Sequence, residues 1–385
     1  MSNIALYHPV MGTGGGEAVL MNVLEVLEND HEITLFTLSD VDFDRLNEYF
    51  GTTANGVPVR RFDGPGDALR RSHRWTQAVS PRGLGRLHAC LFARLVRTVD
   101  DDYDLVVSTF GEFDFDCPSI QYIHYPMFGR HLIPADIERR GTARVVYDYL
   151  CDAVAGQLFR HTTSGTLLAN SDWTARITEG IYGRRPRTLY PPVDTREFDP
   201  VPWSERADGI VAIGRVDPSK RVETLIDITE GLWQRGHDLP LYIVGPIGEG
   251  RYSREIRRRA ETTAGVHLVG AVSRQELIKY VCSYRYGLHG MRYEHFGIAV
   301  AELVAGGALP FIHDSGGQCE IVDESALRYR SVDDAIRKIE AVHTNSDKQR
   351  DIIENLPDIE SRFGRSRFKR VFRRTVETVL DSASQ

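Results

Sequence analysis

Asn3-Ile4-Ala5-Leu6-Tyr7-His8 is a short apolar run, and Gly12-Thr13-Gly14-Gly15-Gly16-Glu17 follows it closely. The run has the length of a buried strand, and the glycines mark the turn that ends it. From Glu17 to Leu27 the residues Val19, Leu20, Val23, Leu24 and Leu27 fall at helical spacing. Residues 32–38 then return as a strand. A strand, a helix and a second strand in this order form a crossover unit, which implies parallel pairing.

The same alternation continues outward along the chain. Further strands are expected at residues 105–108, 119–124 and 166–170. A proline-rich stretch, Tyr190-Pro191-Pro192-Val193-Asp194, precedes a second series at residues 209–214, 241–245, 266–270, 286–289 and 309–313. The fold class is therefore α/β, with two Rossmann-like, doubly wound parallel-sheet domains. The expected division is residues 1–195, residues 196–357, and a basic helical tail at residues 358–385. The helical period leaves open which half the tail packs on, the N-terminal domain being one candidate. Ligands of such sheets bind at the carboxyl ends of the strands, so the chemistry is expected in a cleft between the halves.

Composition narrows the classes. The 385 residues are 42% hydrophobic and 26% charged, enough for a core in each of two domains. No apolar run approaches the roughly 20 residues of a spanning helix. The opening Met1-Ser2-Asn3 has no basic region before an apolar core, so no secretory leader is expected. A net charge of −7 argues against a dedicated nucleic-acid binder. Cys90, Cys117, Cys151, Cys282 and Cys319 are scattered and never in CxxC spacing, which suits free thiols in a reducing cytosol.

Three segments carry chemistry. The glycine turn before Glu17 lets backbone approach a ligand at a helix start. It departs from G-x-G-x-x-G at Glu17, and Asp40 falls late for a ribose contact, so a nicotinamide site and a plain tight turn both remain open. Gly214-Arg215-Val216-Asp217-Pro218-Ser219-Lys220 follows a strand and opens a helix, so Arg215 and Lys220 suit a diphosphate. Glu294-His295-Phe296-Gly297-Ile298-Ala299-Val300-Ala301-Glu302 brackets a helix start with two carboxylates. Phe296, Gly297 and Ile298 would present amides to a phosphate. Glu294 can reach a polyol, and Glu302, on an otherwise apolar helix, demands a partner such as paired ribose hydroxyls.

This last segment resembles the E-x7-E motif of glycosyltransferase family 4, retaining enzymes of the GT-B fold with two facing Rossmann-like domains. The resemblance extends through His8-Pro9, Gly14-Gly15-Gly16-Glu17, His124-Tyr125-Pro126, Asn170-Ser171-Asp172-Trp173-Thr174 and Gly287-Leu288-His289. It implies a nucleotide-sugar donor, GDP-mannose or a UDP-hexose, and no further cofactor. Arg215 and Lys220 would hold the diphosphate, Glu302 the ribose, and Glu294 the transferred sugar. His124 would lie near that sugar, with Gly14, Gly15 and Gly16 close to the donor phosphate or the acceptor. Val269 and Gly270 would line the base pocket.

Neither Gly214–Lys220 nor Glu294–Glu302 contains an Asp-x-Asp triplet, and the acids Asp100-Asp101-Asp102 fall in a turn before a strand, so cations and amides, with no metal, are expected to meet the charge that builds on the leaving diphosphate. Nine arginines between Arg60 and Arg97 face only Asp63 and Asp67. Within this stretch Arg70, Arg71, Arg74, Arg82 and Arg86 are expected to meet an anionic membrane, a solvated helix face being the alternative. The expected activity is hexosyl transfer, with mannose the expected sugar, to a lipid-linked saccharide at the cytoplasmic face of a membrane. A soluble sugar-phosphate acceptor and a non-catalytic nucleotide-sugar binder are the competing readings.

Overall fold

The structure, a computed structural model, describes residues 1–79, 84–135, 137–138, 141–156 and 165–383. It divides into two compact units, one of Met1–Pro192 with Arg365–Gln385 and one of Val193–Gly364. The second unit thus starts slightly before residue 196 and runs to Gly364, beyond residue 357.

The first unit contains β1 (Asn3–Tyr7), α1 (Gly15–Leu27), β2 (Glu32–Phe36), α2 (Phe43–Phe50), β3 (Val59–Arg60), α3 (Pro65–Val79) and α4 (Gly85–Val96). It continues with β4 (Leu105–Ser108), β5 (Ser119–Ile123), α5 (Thr142–Val154), β6 (Thr166–Ala169), α6 (Asp172–Tyr182) and β7 (Arg187–Thr188). The sheet order is β3-β2-β1-β4-β5-β6-β7, and every pairing is parallel. Successive side chains of a strand point to opposite faces. Ile4 and Leu6 accordingly enter the core that contains α1, and Ala5 and Tyr7 the core that contains α4.

The second unit contains β8 (Ala207–Ile213), α7 (Val222–Gln234), β9 (Leu241–Val244), α8 (Arg251–Thr262), β10 (Val266–Gly270), α9 (Arg274–Ser283) and β11 (Tyr284–His289). It ends with α10 (Ile298–Ala305), β12 (Leu309–His313), β13 (Arg328–Tyr329), α11 (Val332–His343), α12 (Ser346–Asn355) and α13 (Ile359–Phe363). Its order is β10-β9-β8-β11-β12-β13, again parallel. In each sheet the order reverses once, between β1 and β4 and between β8 and β11. Crossovers leave a switch point on opposite faces and open a crevice above the strand ends.

The tail helix α14 (Arg365–Ala383) belongs to the first unit. Phe368, Phe372 and Val376 form an i, i+4, i+8 stripe buried in the core with α1. Its basic residues answer the acids of that helix. Arg365 donates to Asn22 Oδ1 at 3.0 Å and to Glu25 at 2.9 Å, and Lys369 Nζ lies 2.5 Å from Glu25. The cationic run of the tail is thus an intramolecular clamp.

Glu112, in the loop after β4, is fully buried. Its Oε1 accepts from Met127 N at 2.5 Å, Phe128 N at 3.3 Å and the Tyr182 hydroxyl at 2.6 Å, while Oε2 has no partner among the described residues. Burial pushes the carboxyl up against these bonds, from 4.5 to about 6. Because the folded value is raised, the folded chain holds an extra proton between those two values, and stability falls as pH rises through them. Glu112→Gln removes the titration and can place its amide where Oε2 stood. Denaturation at pH 4.5 and pH 7 should show the variant gaining about 2 kcal/mol on the wild type across that interval. A constant difference would place the proton elsewhere.

Candidate active site

The second unit's switch point brings together Arg215, Lys220 and Glu294 of the predicted site residues. β8 ends at Ile213, and Gly214 (φ +143°) meets Gly245 (φ +150°) where a Cβ on Gly245 would stand 2.3 Å from Gly214 O. Only glycine permits that approach. The chain then turns through Asp217, whose carboxylate accepts from Ser219 N at 2.9 Å, and reaches Lys220 and Arg221. After β11, Tyr293 leads into Glu294. Arg221 (φ +51°) and Tyr293 (φ +54°) are both left-handed without being glycine, and each adjoins a site residue. Such conformations persist only where the surroundings enforce them. Here the turn at residues 315–317 enforces Tyr293: Ser315 Oγ accepts from Tyr293 N at 2.9 Å, and Gly317 N donates to Glu294 O at 2.7 Å.

Lys220 Nζ lies 2.6 Å from Glu294 Oε2, and His289 Nε2 lies 3.1 Å from the same oxygen. Burial pushes Glu294 up, but Lys220 and then His289 overcome it and hold the carboxyl well below its usual range. His289 is pushed down by burial, helped by Lys220 and opposed by Glu294, so its neutral form prevails. Arg215 is exposed, and no side chain among the described residues pairs with it. Gly214, Arg215, Lys220, His289 and Gly290 line one small cleft. His313, at the end of β12, is pushed down to about 4 by burial, then by Arg292 and Arg221, which adds two cations to this edge.

Glu302 is not isolated on its helix. Arg274 donates to it at 2.6 Å, donates to Glu197 at 2.8 Å, and lies over the Phe198 ring at 5.4 Å. The two carboxylates of the motif therefore engage separate cations. Gly297, left-handed at φ +101°, caps α10, and Phe296 packs edge-on to Phe363 in the core. Ile298 opens the helix, so of the three residues it is the backbone that can face a ligand. Val269 packs in the core cluster of Leu303, and Gly270 (φ +85°) accepts from Gly245 N at 2.8 Å.

A second cluster stands at the β1/β4 switch point of the first unit. Glu17 reaches back to accept from Gly14 N at 2.9 Å at the start of α1, the half of a capping box that needs no N-cap side chain. Its other oxygen lies 3.7 Å from His8 Nε2. His8 Nδ1 meets Thr109 Oγ1 at 2.9 Å, and His124 Nε2 meets Thr109 O at 3.1 Å. A Cβ on Gly16 would stand 3.7 Å from both imidazoles. Burial raises Glu17, but His8 and the backbone amides bring it down to about 2, so it is a carboxylate throughout the neutral range. The amide of Gly14 is thus spent on Glu17, and a fixed negative charge occupies the turn where the donor phosphate or the acceptor was expected. Asn170 Nδ2 donates to His124 O at 3.1 Å and Ser171 caps α6, which accounts for the Asn170-Ser171-Asp172 run.

The arginine stretch is largely absorbed by the fold. Arg86 is buried and paired with Asp148 at 2.6 Å and Asp152 at 2.8 Å, so it cannot meet a membrane. Arg70 lies 3.1 Å from Asp40, and Arg74 lies 3.7 Å from the same carboxylate. Arg71 is exposed, and Arg82 lies outside the described residues. Sequence reading missed His289 as a site residue and missed Arg274 altogether. A histidine closing the strand before Glu294 was the available signal for the first. Arg274 comes from a different helix, and no spacing rule connects it to Glu302.

Residues 194–358 match the family described as glycosyl transferases group 1. The mouse GDP-Man:Man(3)GlcNAc(2)-PP-Dol alpha-1,2-mannosyltransferase is 25% identical over 364 residues, covering 82% of this chain and 73% of its own. The human protein of the same description is 24% identical, with the same coverage. Among solved structures, Anabaena HepE in complex with UDP and glucose superposes with a TM-score of 0.69 at 16% identity, covering 98% of this chain and 100% of its own. WaaG, a glycosyltransferase involved in lipopolysaccharide biosynthesis, gives 0.62 at 15% identity and covers 91% and 93%. Each sheet order and these neighbours define the GT-B fold class. The second unit thus carries the group 1 glycosyl transferase match, and the fold of the chain is that of its glycosyltransferase neighbours.

The coupling of Lys220, Glu294 and His289 can be read by titration. Lys220→Met removes a charge that opposes protonation of His289, so the His289 ring resonance should titrate at higher pH in the variant. An unchanged midpoint would separate the lysine from the pair.

Proposed function

We propose that the chain transfers a hexose, mannose in the first instance, from a nucleotide sugar to a lipid-linked saccharide with retention at the anomeric carbon. The observation that carries the reading is the joining of Arg215, Lys220, His289 and Glu294 at one switch point. Arg215 and Lys220 would neutralise the charge that develops on the departing diphosphate, and the start of α10 would add amides. Lys220 is already bonded to Glu294, so donor binding must divide the lysine between a carboxylate and a phosphate. Glu294 would then be free to accept from hydroxyls of the hexose, and Glu302, steadied by Arg274, from the ribose. Val269 and Gly270 would border the base.

The breaking bond joins the anomeric carbon to the leaving phosphate oxygen, and the new bond joins that carbon to the acceptor oxygen on the same face. The leaving phosphate takes the acceptor proton, so no separate protein base is needed. His8, Glu17 and His124 would orient sugar hydroxyls in the first unit, where a carboxylate suits a polyol better than a phosphate. The lipid-linked acceptor is supported by the mouse and human relatives, which are named for one. No helix among the described residues is long and apolar enough to cross a membrane, so a peripheral position on the cytoplasmic face of an anionic membrane is proposed. A soluble acceptor is the competing reading.

A thermal-shift panel of GDP-, UDP- and ADP-sugars tests the donor. The true donor at a hundred times its dissociation constant should stabilise the chain by about 2.7 kcal/mol, and a flat panel would sink the reading. Arg215→Ala should lower turnover by about 10²–10³ while leaving the melting temperature unchanged. Near wild-type turnover would remove Arg215 from the diphosphate.

The two carboxylates should fail differently. Glu302→Ala should mainly raise the Michaelis constant, since the ribose is held alike in substrate and transition state. Glu294→Ala should mainly lower turnover, since the hexose is what distorts. Steady-state kinetics that moved the same constant in both variants would collapse the division of roles.

A further inference from the structure

We infer that the outward face of α5, together with the exposed leucines of α4, is the surface by which this chain lies on an anionic membrane. The inference rests on the lipid-linked reading of the acceptor and replaces the arginine run as the docking face.

The observation is an inverted helix. On a surface helix the apolar stripe faces the core and the charges face water. In α5 the buried positions include Asp148, Cys151 and Asp152, while Val146, Tyr149, Leu150 and Ala153 are exposed. Those four stand at i, i+3, i+4 and i+7, one continuous stripe. Val146 is 63%, Tyr149 43% and Leu150 49% exposed. The cause of the inversion is Arg86, which draws both carboxylates inward, and Gly129 N also donates to Asp152 at 3.3 Å.

The stripe does not stand alone. Leu132 is 49% exposed beside it, with the neighbouring His131 ring stacked on Tyr149 at 5.1 Å. Leu84 and Leu91 are each 38% exposed at the start of α4 and along it. That helix is bound to α5 by Arg86, by Leu87 N to the Tyr147 hydroxyl at 3.1 Å, and by Arg94 to Val154 O at 3.2 Å. Six of the ten large exposed apolar side chains among the described residues fall in this group, so the exposure is a patch and not a scatter.

Charge selects the occupant. α4 contains no acidic residue, and both acids of α5 are buried on Arg86. The exposed charges on the two helices are Arg94 and Arg144. Arg144 also lies 3.5 Å from Asp148, so in a chain of net charge −7 the two helices expose cations and, among their described residues, no carboxylate, which complements anionic headgroups. Apolar side chains can enter the headgroup boundary while Tyr149 and the arginines stay at its polar edge.

Flotation of the full chain with phosphatidylglycerol-containing vesicles, against pure phosphatidylcholine, tests the assignment. Wild type should float with the anionic vesicles, and Val146→Asp with Leu150→Asp should weaken partition by roughly tenfold or more. The milder Val146→Ser with Leu150→Ser should weaken it in the same direction if the aspartates disturb folding. Both variants should keep the wild-type nucleotide-induced thermal shift, because the donor residues lie in the other unit. Arg71→Glu with Arg74→Glu should float nearly as wild type. Unimpaired flotation of the Val146 and Leu150 variants would overturn the assignment, as would loss confined to the Arg71 and Arg74 variant. A wild type that floats on neither vesicle, whether it elutes as a monomer or as a dimer broken by the same substitutions, would also overturn it. Failure of the glycosyl-transfer reading shows separately, as a missing nucleotide shift with flotation intact.

Discussion

Parallel strands put every carboxyl end on one edge of a sheet, and the polar groups of the following loops must be satisfied there. At a reversal of strand order the two adjacent loops leave toward opposite faces, so the edge stays open at that point alone. The first unit reverses between β1 and β4, and the loops there deliver His8, Glu17 and Thr109. The second reverses between β8 and β11 and delivers Arg215, Lys220, His289 and Glu294. Glycine enters where these loops must pass closely, as at Gly214 and Gly245, and left-handed backbone where they must turn sharply, as at Arg221 and Tyr293. The chemistry of the chain thus follows from a constraint on topology before any side chain is considered.

Electrostatics then decides what the open edge can bind. A carboxylate largely removed from water needs a cation or donors, so Glu294 takes Lys220, Glu302 takes Arg274, and Glu17 takes His8 with the Gly14 amide. A ligand entering such a site exchanges partners and does not simply add them. Binding energy is therefore reduced by the pairs that must loosen, while the site is kept from collapsing when empty. Arg215, which no side chain among the described residues pairs with, is a cation of this edge whose charge is not already committed. It is the natural first contact for an anion.

How much of this the sequence could show depends on range. Buried parallel strands are local apolar runs, and ten were legible within a residue or two of their ends. β3, β7 and β13 were not, because two residues are too short to display any period. The motif from Glu294 to Glu302 was legible because its parts are consecutive, as was the pairing need of an acid on an apolar helix. The partner supplied, Arg274, was not, since it approaches from α9 and sequence spacing carries no record of helix packing. For the same reason the arginine stretch read as a free cationic surface. Its neutralising acids, Asp40, Asp148 and Asp152, lie outside the stretch.

Arg86 shows why such long-range pairs have consequences beyond their own energy. Taking a guanidinium and two carboxylates out of water is costly, and a buried triad of this kind often stabilises no better than apolar residues of equal volume. It nevertheless fixes which side of α5 faces the core. With Asp148 and Asp152 held inward, rotation of the helix that buried Val146 and Leu150 would carry two carboxylates away from their cation. Leaving a guanidinium buried without them costs more than the apolar area regained by the turn. The exposed stripe is thus a consequence of the charge pairing, stable in the free protein, and waiting on a surrounding less polar than water.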